Sequence, residues 1–349
     1  MILLAHPTGN TFFRAAARAL HAQGWLQELH SCICWDQHLL HSHLLPAAIA
    51  AQLSRRSYPD VPLSLQYSHP WREVARLLTP ALPLVKRHEI GPLSVDAVYR
   101  SFDRHVAARL PKVLGLRAVY AYEDGALSTF QAAKALRLRC LYELPIGYWK
   151  SARHIFAEEA ELQPHWANTL TGLGDSASKM ARKDAELAHA DAVIVATQFV
   201  RHTLESHQAC SVPIHVLPYG APPPTTHPLR GPTSGPLRVL FVGSLGQRKG
   251  LSYLLEAVAL LGDAVTLTLI GRSTSSSCAP LTAALERHDW IPSLPHAAIL
   301  EQMRQHDVLV FPSLFEGFGL VLTEALSQGL PVIASPNTAA PELIRDGVE

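Results

Sequence analysis

The sequence predicts an α/β protein with parallel sheets in two domains, and three observations support this. Its 349 residues suit two domains at the usual ~100–200 residues each. Short apolar runs alternate with segments in which apolar residues recur at helical spacing, a pattern typical of strands buried on both faces. The segment 218–236 holds seven prolines and three glycines, which neither a helix nor a central strand accommodates.

Composition narrows the class of protein further. Apolar types make up 48% and charged types 17%, as in ordinary globular chains rather than disordered ones. Lys and Arg total 30 against 29 for Asp and Glu, so the chain has no overall positive charge that would attract nucleic acid. Any phosphate group that it binds must therefore contact a local group of cationic side chains or N–H groups. The five cysteines are scattered without a CxxC pair, which suits a reducing compartment. We expect a cytoplasmic protein and leave peripheral contact with the inner face of the membrane open.

The C-terminal part shows the clearer alternation of strands and helices. An apolar run at 237–242 ends at Gly243, and a helical stripe begins at Leu251. Further predicted elements follow in order: a strand at 266–270, a helix at 297–305, a strand at 308–311, a helix at 320–328 and a strand at 332–334.

The N-terminal part repeats this pattern less regularly. Predicted strands lie at 2–5, 118–122, 139–142, 192–196 and 214–217, with a helix at 11–23 that ends before Gly24. We therefore predict an N-terminal Rossmann-like domain at 1–217, a proline-rich linker at 218–236 and a C-terminal Rossmann-like domain at 237–349. Two such domains are expected to face each other across a cleft, with ligands beyond the carboxyl ends of the strands.

The loop and helix after the strand at 308–311 form the first candidate site. The loop carries Glu316, Gly317 and Gly319, and Glu324 follows early in the helix. A helix N-terminus preceded by glycines offers free N–H groups to a phosphate. Helical side chains lean toward the N-terminus, so both carboxylates are expected to flank one site. The alternative is that the two are ordinary exposed glutamates.

The run EGFGLVLTE at 316–324 resembles the E-x7-E motif of retaining nucleotide-sugar glycosyltransferases of family 4, which have the GT-B fold. VGSLGQRKGLSYLLEA resembles their phosphate loop and the following helix, and QGLPVIAS with PELIRDG resembles the elements after the donor loop. In the N-terminal part, HPTGN, YEDGAL, ELPIGYW and LPYG resemble a bacterial branch of the family.

The resemblance implies a role for each matching residue of the loop. Glu316 is expected to contact the donor sugar and, beside the anomeric carbon, to stabilise positive charge there. Glu324 is expected to hold the ribose hydroxyls. The N–H groups of Phe318, Gly319 and Leu320 are expected to meet sugar and phosphate oxygens.

The glycine-rich turn GSLGQRKG supplies the second candidate site. Arg248 and Lys249 lie between a strand and a helix, where a guanidinium and an ammonium would neutralise a leaving diphosphate. A solvated basic turn is the alternative. Many relatives carry an arginine where this chain has Ser244, and Arg248 would supply that charge. Two cations and a helix N-terminus make a metal unnecessary, so we expect neither a metal nor another cofactor.

Three N-terminal residues are further candidates: Gly9 for the donor, and Glu123 and Asp124 for the acceptor. Gly9 resembles the glycine loop that closes over the donor phosphates, and a plain turn glycine is the alternative. Glu123 and Asp124 follow the strand at 118–122 and could orient or deprotonate an acceptor hydroxyl. The group formed by Asp36, His38, His41 and His43 fits no standard zinc spacing, so we favour a structural role for it.

The leading hypothesis is a metal-independent enzyme that moves a hexose, with retention of configuration, from a nucleotide diphosphate sugar to a hydroxyl on a glycan or lipid-linked acceptor. A nucleotide-sugar-binding module without transfer activity is the alternative. A dinucleotide oxidoreductase ranks far lower, because no GxGxxG follows a predicted strand. Relatives continue beyond the point where this chain stops, so we expect a C-terminal domain that is truncated.

Overall fold

A computed structural model describes residues 1–36, 53–79, 82, 84–170, 172–227 and 235–348. His38, His41 and His43 lie outside these residues. By internal contacts the chain forms two compact units, each assembled from separate segments. The first unit comprises 1–144, 175–194 and 209–215, and the second comprises 145–174, 195–208 and 216–349. The described residues of the predicted linker, 218–227, 235 and 236, fall in the second unit. The predicted division into two domains at this linker stays a prediction.

Over the residues described, the first sheet has seven strands in the order β3-β2-β1-β4-β5-β6-β7, and the pairings from β3 to β5 are parallel. Its strands are β1 (Ile2–Ala5), β2 (Leu26–Ser31), β3 (Gln66–Ser68), β4 (Ala118–Tyr122), β5 (Arg139–Leu144), β6 (Ala192–Val195) and β7 (Ile214–Val216). The described helices in this part of the chain are α1 (Thr11–Ala22), α2 (Trp71–Leu78), α3 (Val95–Arg109), α4 (Leu127–Ala135), α5 (Trp149–Leu162), α6 (Ala177–Ala188) and α7 (Gln198–Glu205). Of these, α5 and α7 belong to the second unit.

The second sheet has five parallel strands in the order β10-β9-β8-β11-β12. Its strands are β8 (Leu237–Val242), β9 (Val265–Ile270), β10 (Asp289–Ile291), β11 (Val308–Phe311) and β12 (Val332–Ala334). The helices are α8 (Leu251–Leu261), α9 (Ala279–Arg287), α10 (His296–Gln305), α11 (Leu320–Ser327) and α12 (Ala340–Leu343). The predicted α/β class with two parallel Rossmann-like sheets is confirmed.

Sequence reasoning missed β2, β3 and β10. In β2 the polar side chains Glu28 and His30 are buried together, because Glu28 accepts hydrogen bonds from His30 Nε2 at 2.8 Å and Arg109 Nη2 at 2.6 Å. A buried ion pair breaks the apolar pattern by which a buried strand is recognised.

Each sheet has an apolar core beside it. In the first unit, Leu4 and Leu29 of the sheet pack with Phe13 of α1. In the second, Phe241 and Phe311 come from neighbouring strands and pack with Leu251 of α8 and Leu322 of α11. The buried faces of α8 and α11 therefore hold both helix N-termini at the carboxyl edge of the second sheet.

Candidate functional site

The carboxyl ends of β8 and β11 place two loops at one edge of the second sheet. The two strands are adjacent and parallel, with Val239 opposite Val308. The segments that leave them, 243–250 and 312–319, therefore emerge at the same edge, where ligands of such sheets bind. We call residues 246–250 the basic turn and residues 316–320 the donor loop.

The basic turn needs glycine at its last position. Gln247–Lys249 form one turn of 3₁₀ helix, and Gly250 follows with φ +67°, in the left-handed region. A Cβ on Gly250 would lie 2.0 Å from the carbonyl oxygen of Pro312. The N–H of Leu314 donates to the carbonyl of Arg248 at 2.9 Å. Main-chain contacts thus hold the basic turn against the chain that leads into the donor loop.

The side chains of the basic turn meet Glu316. Lys249 Nζ is in contact with Glu316 Oε2, and Arg248 Nη1 lies 3.5 Å from the same oxygen and donates to the carbonyl of Phe315 at 2.9 Å. Burial, and then Arg248, lower the pKa of Lys249, and the carboxylate of Glu316 in contact with its Nζ favours the charged ammonium. A diphosphate here would meet two cations whose present counter-ion is Glu316.

The donor loop ends in three backbone N–H groups at the start of α11. Gly319 caps α11 with φ +84°, a left-handed conformation. Over the residues that the structure describes, the N–H groups of Phe318, Gly319 and Leu320 donate to no other group. The side chain of Phe318 is buried against Ala196 and Ala339, so Phe318 offers its backbone alone. This geometry suits an anion or a hydroxyl oxygen at the helix N-terminus.

Glu324 has a partner that the sequence did not indicate. His296 Nε2, at the start of α10, lies 2.9 Å from Glu324 Oε1. The carboxylate is mostly covered while the histidine is well exposed. No spacing rule joins residues on two separate helices, so sequence reasoning gave no signal for His296. Glu316 and Glu324 therefore each have their own cationic or polar partner within the second unit.

Gly9 is packed within the first unit. It has φ +60°, and a Cβ there would lie 2.1 Å from the hydroxyl oxygen of Tyr58. Its N–H donates to His6 Nδ1 at 2.9 Å, as does that of Thr8 at 3.2 Å. Burial lowers the pKa of His6 to about 3, which keeps the ring neutral and Nδ1 free to accept. The positive φ and the close tyrosine require glycine here, and its predicted contact with donor phosphates stays a prediction.

Glu123 and Asp124 follow β4 as predicted and share a buried lysine. Lys183 Nζ on α6 lies 3.0 Å from Glu123 Oε2 and 3.6 Å from Asp124 Oδ2. Burial raises the pKa of Glu123. Asp124 has φ +68°, unusual for a residue with a side chain. The structure thus brings together both predicted carboxylates and adds Lys183, which sequence reasoning missed.

Glu186 on α6 fixes the turn that carries these carboxylates. It is fully buried and accepts the N–H groups of Asp124 at 2.8 Å, Ala126 at 3.1 Å and Leu127 at 3.2 Å. Arg182 Nε and the hydroxyl of Tyr142 donate to it, each at 3.3 Å. Sequence reasoning also missed Glu186, since a lone Glu within a helix is ordinarily exposed.

Two further polar clusters lie outside these groups. Glu143 is buried and accepts a hydrogen bond from the hydroxyl of Tyr120 at 2.5 Å. Within the described ranges, ligand atoms of His88, Glu89 and Asp175 lie within 4.8 Å of one another. Ser176 and Lys179 already bond to Glu89 and Asp175, and the ammonium of Lys179 would repel a metal cation there.

Among the residues described, no helix combines the length and apolar character that a membrane crossing requires.

Parts of this chain are similar in sequence to known proteins, and its fold is similar to that of solved structures. Residues 228–349, about a third of the chain, match the protein-family model described as Glycosyl transferases group 1. A D-inositol 3-phosphate glycosyltransferase of Mycobacterium sp. (strain KMS) is 36% identical over 118 residues, which cover 32% of this chain and 27% of the relative. An amylovoran biosynthesis glycosyltransferase of Erwinia amylovora is 32% identical over 135 residues, 34% of this chain and 33% of the relative.

The matched segment therefore spans a third or less of the length of these curated relatives. Among solved structures, a sucrose-phosphate synthase from Thermosynechococcus elongatus is similar over 97% of this chain and 82% of its own, with TM-score 0.61 and 19% identity. At that identity the likeness concerns the fold. Residues 228–349 thus carry the glycosyl transferases group 1 match on a chain that has the GT-B fold.

Proposed function

We propose that this protein is a retaining glycosyltransferase that moves a hexose from a nucleotide diphosphate sugar to a hydroxyl on a glycan or lipid-linked acceptor, without a metal ion. The observation that carries the proposal is the contact between Lys249 and Glu316 beside the free N–H groups of the donor loop. At one edge of the second sheet, two cations and a helix N-terminus would face the negative diphosphate of such a donor. One carboxylate would face the sugar carbon that gains positive charge.

The cations of the basic turn would take the diphosphate. The ammonium of Lys249 and the guanidinium of Arg248 would exchange Glu316 for phosphate oxygens, and the N–H groups of Gly319 and Leu320 would donate to oxygens of the same ligand. Glu324 would accept from the ribose hydroxyls. This set supplies the charge that other transferases obtain from Mg²⁺, and it supports the proposal that no metal or other cofactor takes part.

Glu316, released from Lys249 by the diphosphate, would stabilise positive charge at the anomeric carbon. The bond from that carbon to the phosphate oxygen breaks with its electron pair on the leaving diphosphate. The acceptor oxygen forms the new bond on the same face, and its proton leaves to a base. Glu123 and Asp124 are our candidates for orienting the acceptor or taking its proton.

The class of acceptor and the cellular location are also proposals. The curated relatives are named as glycosyltransferases, one of them for amylovoran biosynthesis, which supports an acceptor of the glycan or lipid-linked kind. Cysteines scattered without a CxxC pair support a cytoplasmic place, and peripheral contact with the inner face of the membrane would bring a lipid-linked acceptor within reach.

One observation favours the second candidate, a nucleotide-sugar-binding module without transfer activity. The family match covers residues 228–349, which hold the proposed donor groups of the second unit and neither Gly9 nor the proposed acceptor groups. Sugar released from a nucleotide sugar, or transferred to an added glycan, would exclude that candidate.

The test measures binding of UDP, GDP, ADP and their sugars to the full chain, by calorimetry and thermal shift. Lys249→Ala and Glu324→Ala are each expected to weaken nucleoside-diphosphate binding by about tenfold or more, which is ~1.4 kcal/mol, and to abolish transfer. Lys112→Ala and Glu286→Ala remove the same charges at exposed positions and are expected to change neither. Unchanged affinity in both site variants would overturn the assignment.

A further inference from the structure

Gln247 begins the 3₁₀ turn within the basic turn and has no exposed surface. Its backbone N–H donates to Thr169 Oγ1 at 2.9 Å. Its side-chain Nε2 donates to Glu159 Oε1 at 2.7 Å and to Ser252 Oγ at 2.6 Å, and its Oε1 accepts from the N–H of Ser252 at 3.0 Å. All four residues belong to the second unit. Because it is fully buried, Gln247 can serve a ligand only through the residues that it positions.

Glu159 is the carboxylate that receives this amide. It lies on α5, is 5% exposed, and accepts a second hydrogen bond from the hydroxyl of Tyr253 at 3.0 Å. Within the described ranges, its side chain bonds to these two donors and forms no ion pair. A buried carboxylate without a cation depends on its neutral donors, and the loss of one leaves its charge poorly compensated. The hydrogen bond between Gln247 and Glu159 therefore ties the basic turn to α5.

The partners of residue 247 require an amide. The carboxylate of Glu159 accepts and the N–H of Ser252 donates, so the side chain between them must do both. An aliphatic side chain would leave both groups buried and unpaired, and a carboxylate would face Glu159 with like charge. Glutamine satisfies both groups at once.

The position of Gln247 determines where the two cations of the basic turn begin. Gln247, Arg248 and Lys249 share a single turn, in which the N–H of Gly250 donates to the carbonyl of Gln247 at 2.8 Å. The side chains of Arg248 and Lys249 extend from this turn to Glu316. In a turn of three residues, a shift of the first moves the backbone of the other two.

We propose that Gln247, fixed by Glu159 of α5, is a positioning residue that sets the two cations of the basic turn for the diphosphate of the donor. The pair extends the donor site to a helix residue 88 positions earlier in the chain. The identity of the ligand rests on the proposed function. The placement of Lys249 against Glu316 is a property of the free protein, and it can be measured without a ligand.

The first experiment measures the accessibility of Lys249 in the free protein. Its ammonium is mostly covered and in contact with Glu316, whereas Lys150 of the same unit is exposed. Mass spectrometry follows the reductive methylation of Lys249 relative to Lys150 in folded samples of the full chain. Gln247→Leu changes no charge, and we expect it to raise this relative rate at least about threefold, because the turn loses its anchor.

Gln328→Leu is the matched control for this measurement. Gln328 is also a buried glutamine of the second unit, but it accepts from Arg304 and donates to Ser327 at the far end of α11. The substitution removes the same amide without touching the basic turn. It is expected to leave the methylation of Lys249 at the wild-type rate.

The second experiment exchanges the two partners and measures binding of UDP, GDP and ADP by calorimetry. Gln247→Glu alone places two carboxylates together and should weaken nucleoside-diphosphate binding by about tenfold. Adding Glu159→Gln restores one amide and one carboxylate, because the amide at position 159 donates to the carboxylate at position 247, which accepts from the N–H of Ser252. The double variant should return to within about threefold of the wild-type affinity. Binding of the nucleosides, which carry no phosphate, should be the same in all three proteins.

An unchanged methylation rate in Gln247→Leu, or an equal rise in Gln328→Leu, would overturn the positioning role. A double variant that binds no better than Gln247→Glu would show that the charge at position 247 matters and not its pairing. Equal losses for nucleosides and their diphosphates would show a general loss of structure and would also count against the proposal. If the wild type binds no nucleoside diphosphate, the proposed function fails, while the methylation rates still decide the placement of Lys249.

Discussion

Replacing Gly250 by alanine tests whether the close approach of the basic turn to β11 organises the donor site. Alanine in the left-handed conformation costs about 1–2 kcal/mol. Its Cβ would also lie 2.0 Å from the carbonyl oxygen of Pro312, and relieving such an overlap typically adds about 1–3 kcal/mol. We therefore expect Gly250→Ala to lower the free energy of unfolding of the second unit by about 2–5 kcal/mol.

Gly262 at the other end of α8 is a control for the overlap alone, because its ψ of −130° differs from the ψ of 28° at Gly250. It has φ +54°, and nothing lies within 4 Å of the Cβ that alanine would add. Gly262→Ala therefore carries backbone strain of about 1–3 kcal/mol without the overlap.

The assay is urea unfolding combined with hydrogen exchange at the amides of β8 and β11, because a chain of two units need not unfold in one step. Gly250→Ala should also weaken nucleoside-diphosphate binding by about tenfold, since the overlap pushes Lys249 away from Glu316, and Gly262→Ala should not. Equal destabilisation in both variants with unchanged nucleotide affinity would refute the reasoning.

Three further predictions concern single side chains. Burial alone would raise the pKa of Glu28, but hydrogen bonds from His30 and Arg109 lower it to about 2. Its stabilising contribution is therefore present above pH ~4.5 and is lost as the pH falls from there toward 2. Glu28→Gln should lower Tm at neutral pH by an amount that shrinks in acid, and a difference in Tm that stays constant with pH would contradict the pairing. Phe318→Ala should cost about 3–5 kcal/mol in urea unfolding because its ring is buried, and a loss below ~1 kcal/mol would show that the ring does not anchor the donor loop. His296→Ala should change nucleoside-diphosphate affinity by less than about tenfold, because Glu324 keeps its carboxylate, and calorimetry showing a full loss would make His296 a ligand-binding group.

Strands with apolar runs bounded by turn residues could be predicted to the residue. β1, β4, β8, β11 and β12 begin and end where the sequence predicts them. The three missed strands are less apolar. β2 buries Glu28 and His30, and the short strands β3 (QYS) and β10 (DWI) carry polar residues, whereas the equally short β12 (VIA) is apolar throughout.

Site residues that follow directly after a strand could be predicted from the sequence. Contacts between side chains on elements that lie far apart in the sequence could not. The topology of a parallel sheet places Glu316 and Lys249 at adjacent strand ends, and they are in contact. The pairing of Glu324 with His296, and of the turn after β4 with Glu186, joins separate helices and loops. Such pairs depend on how the elements pack, and no local pattern records that.

The contact between Glu316 and the basic turn bears on how donor binding would respond to salt. The two cations are brought together and largely removed from water when the second unit folds, so little reorganisation remains for the ligand to drive. When a diphosphate enters, the two cations would exchange one anionic partner, Glu316, for another. Salt screens buried charges less than exposed ones. Donor affinity at this site should therefore depend only weakly on ionic strength, unlike binding that begins from free, hydrated cations.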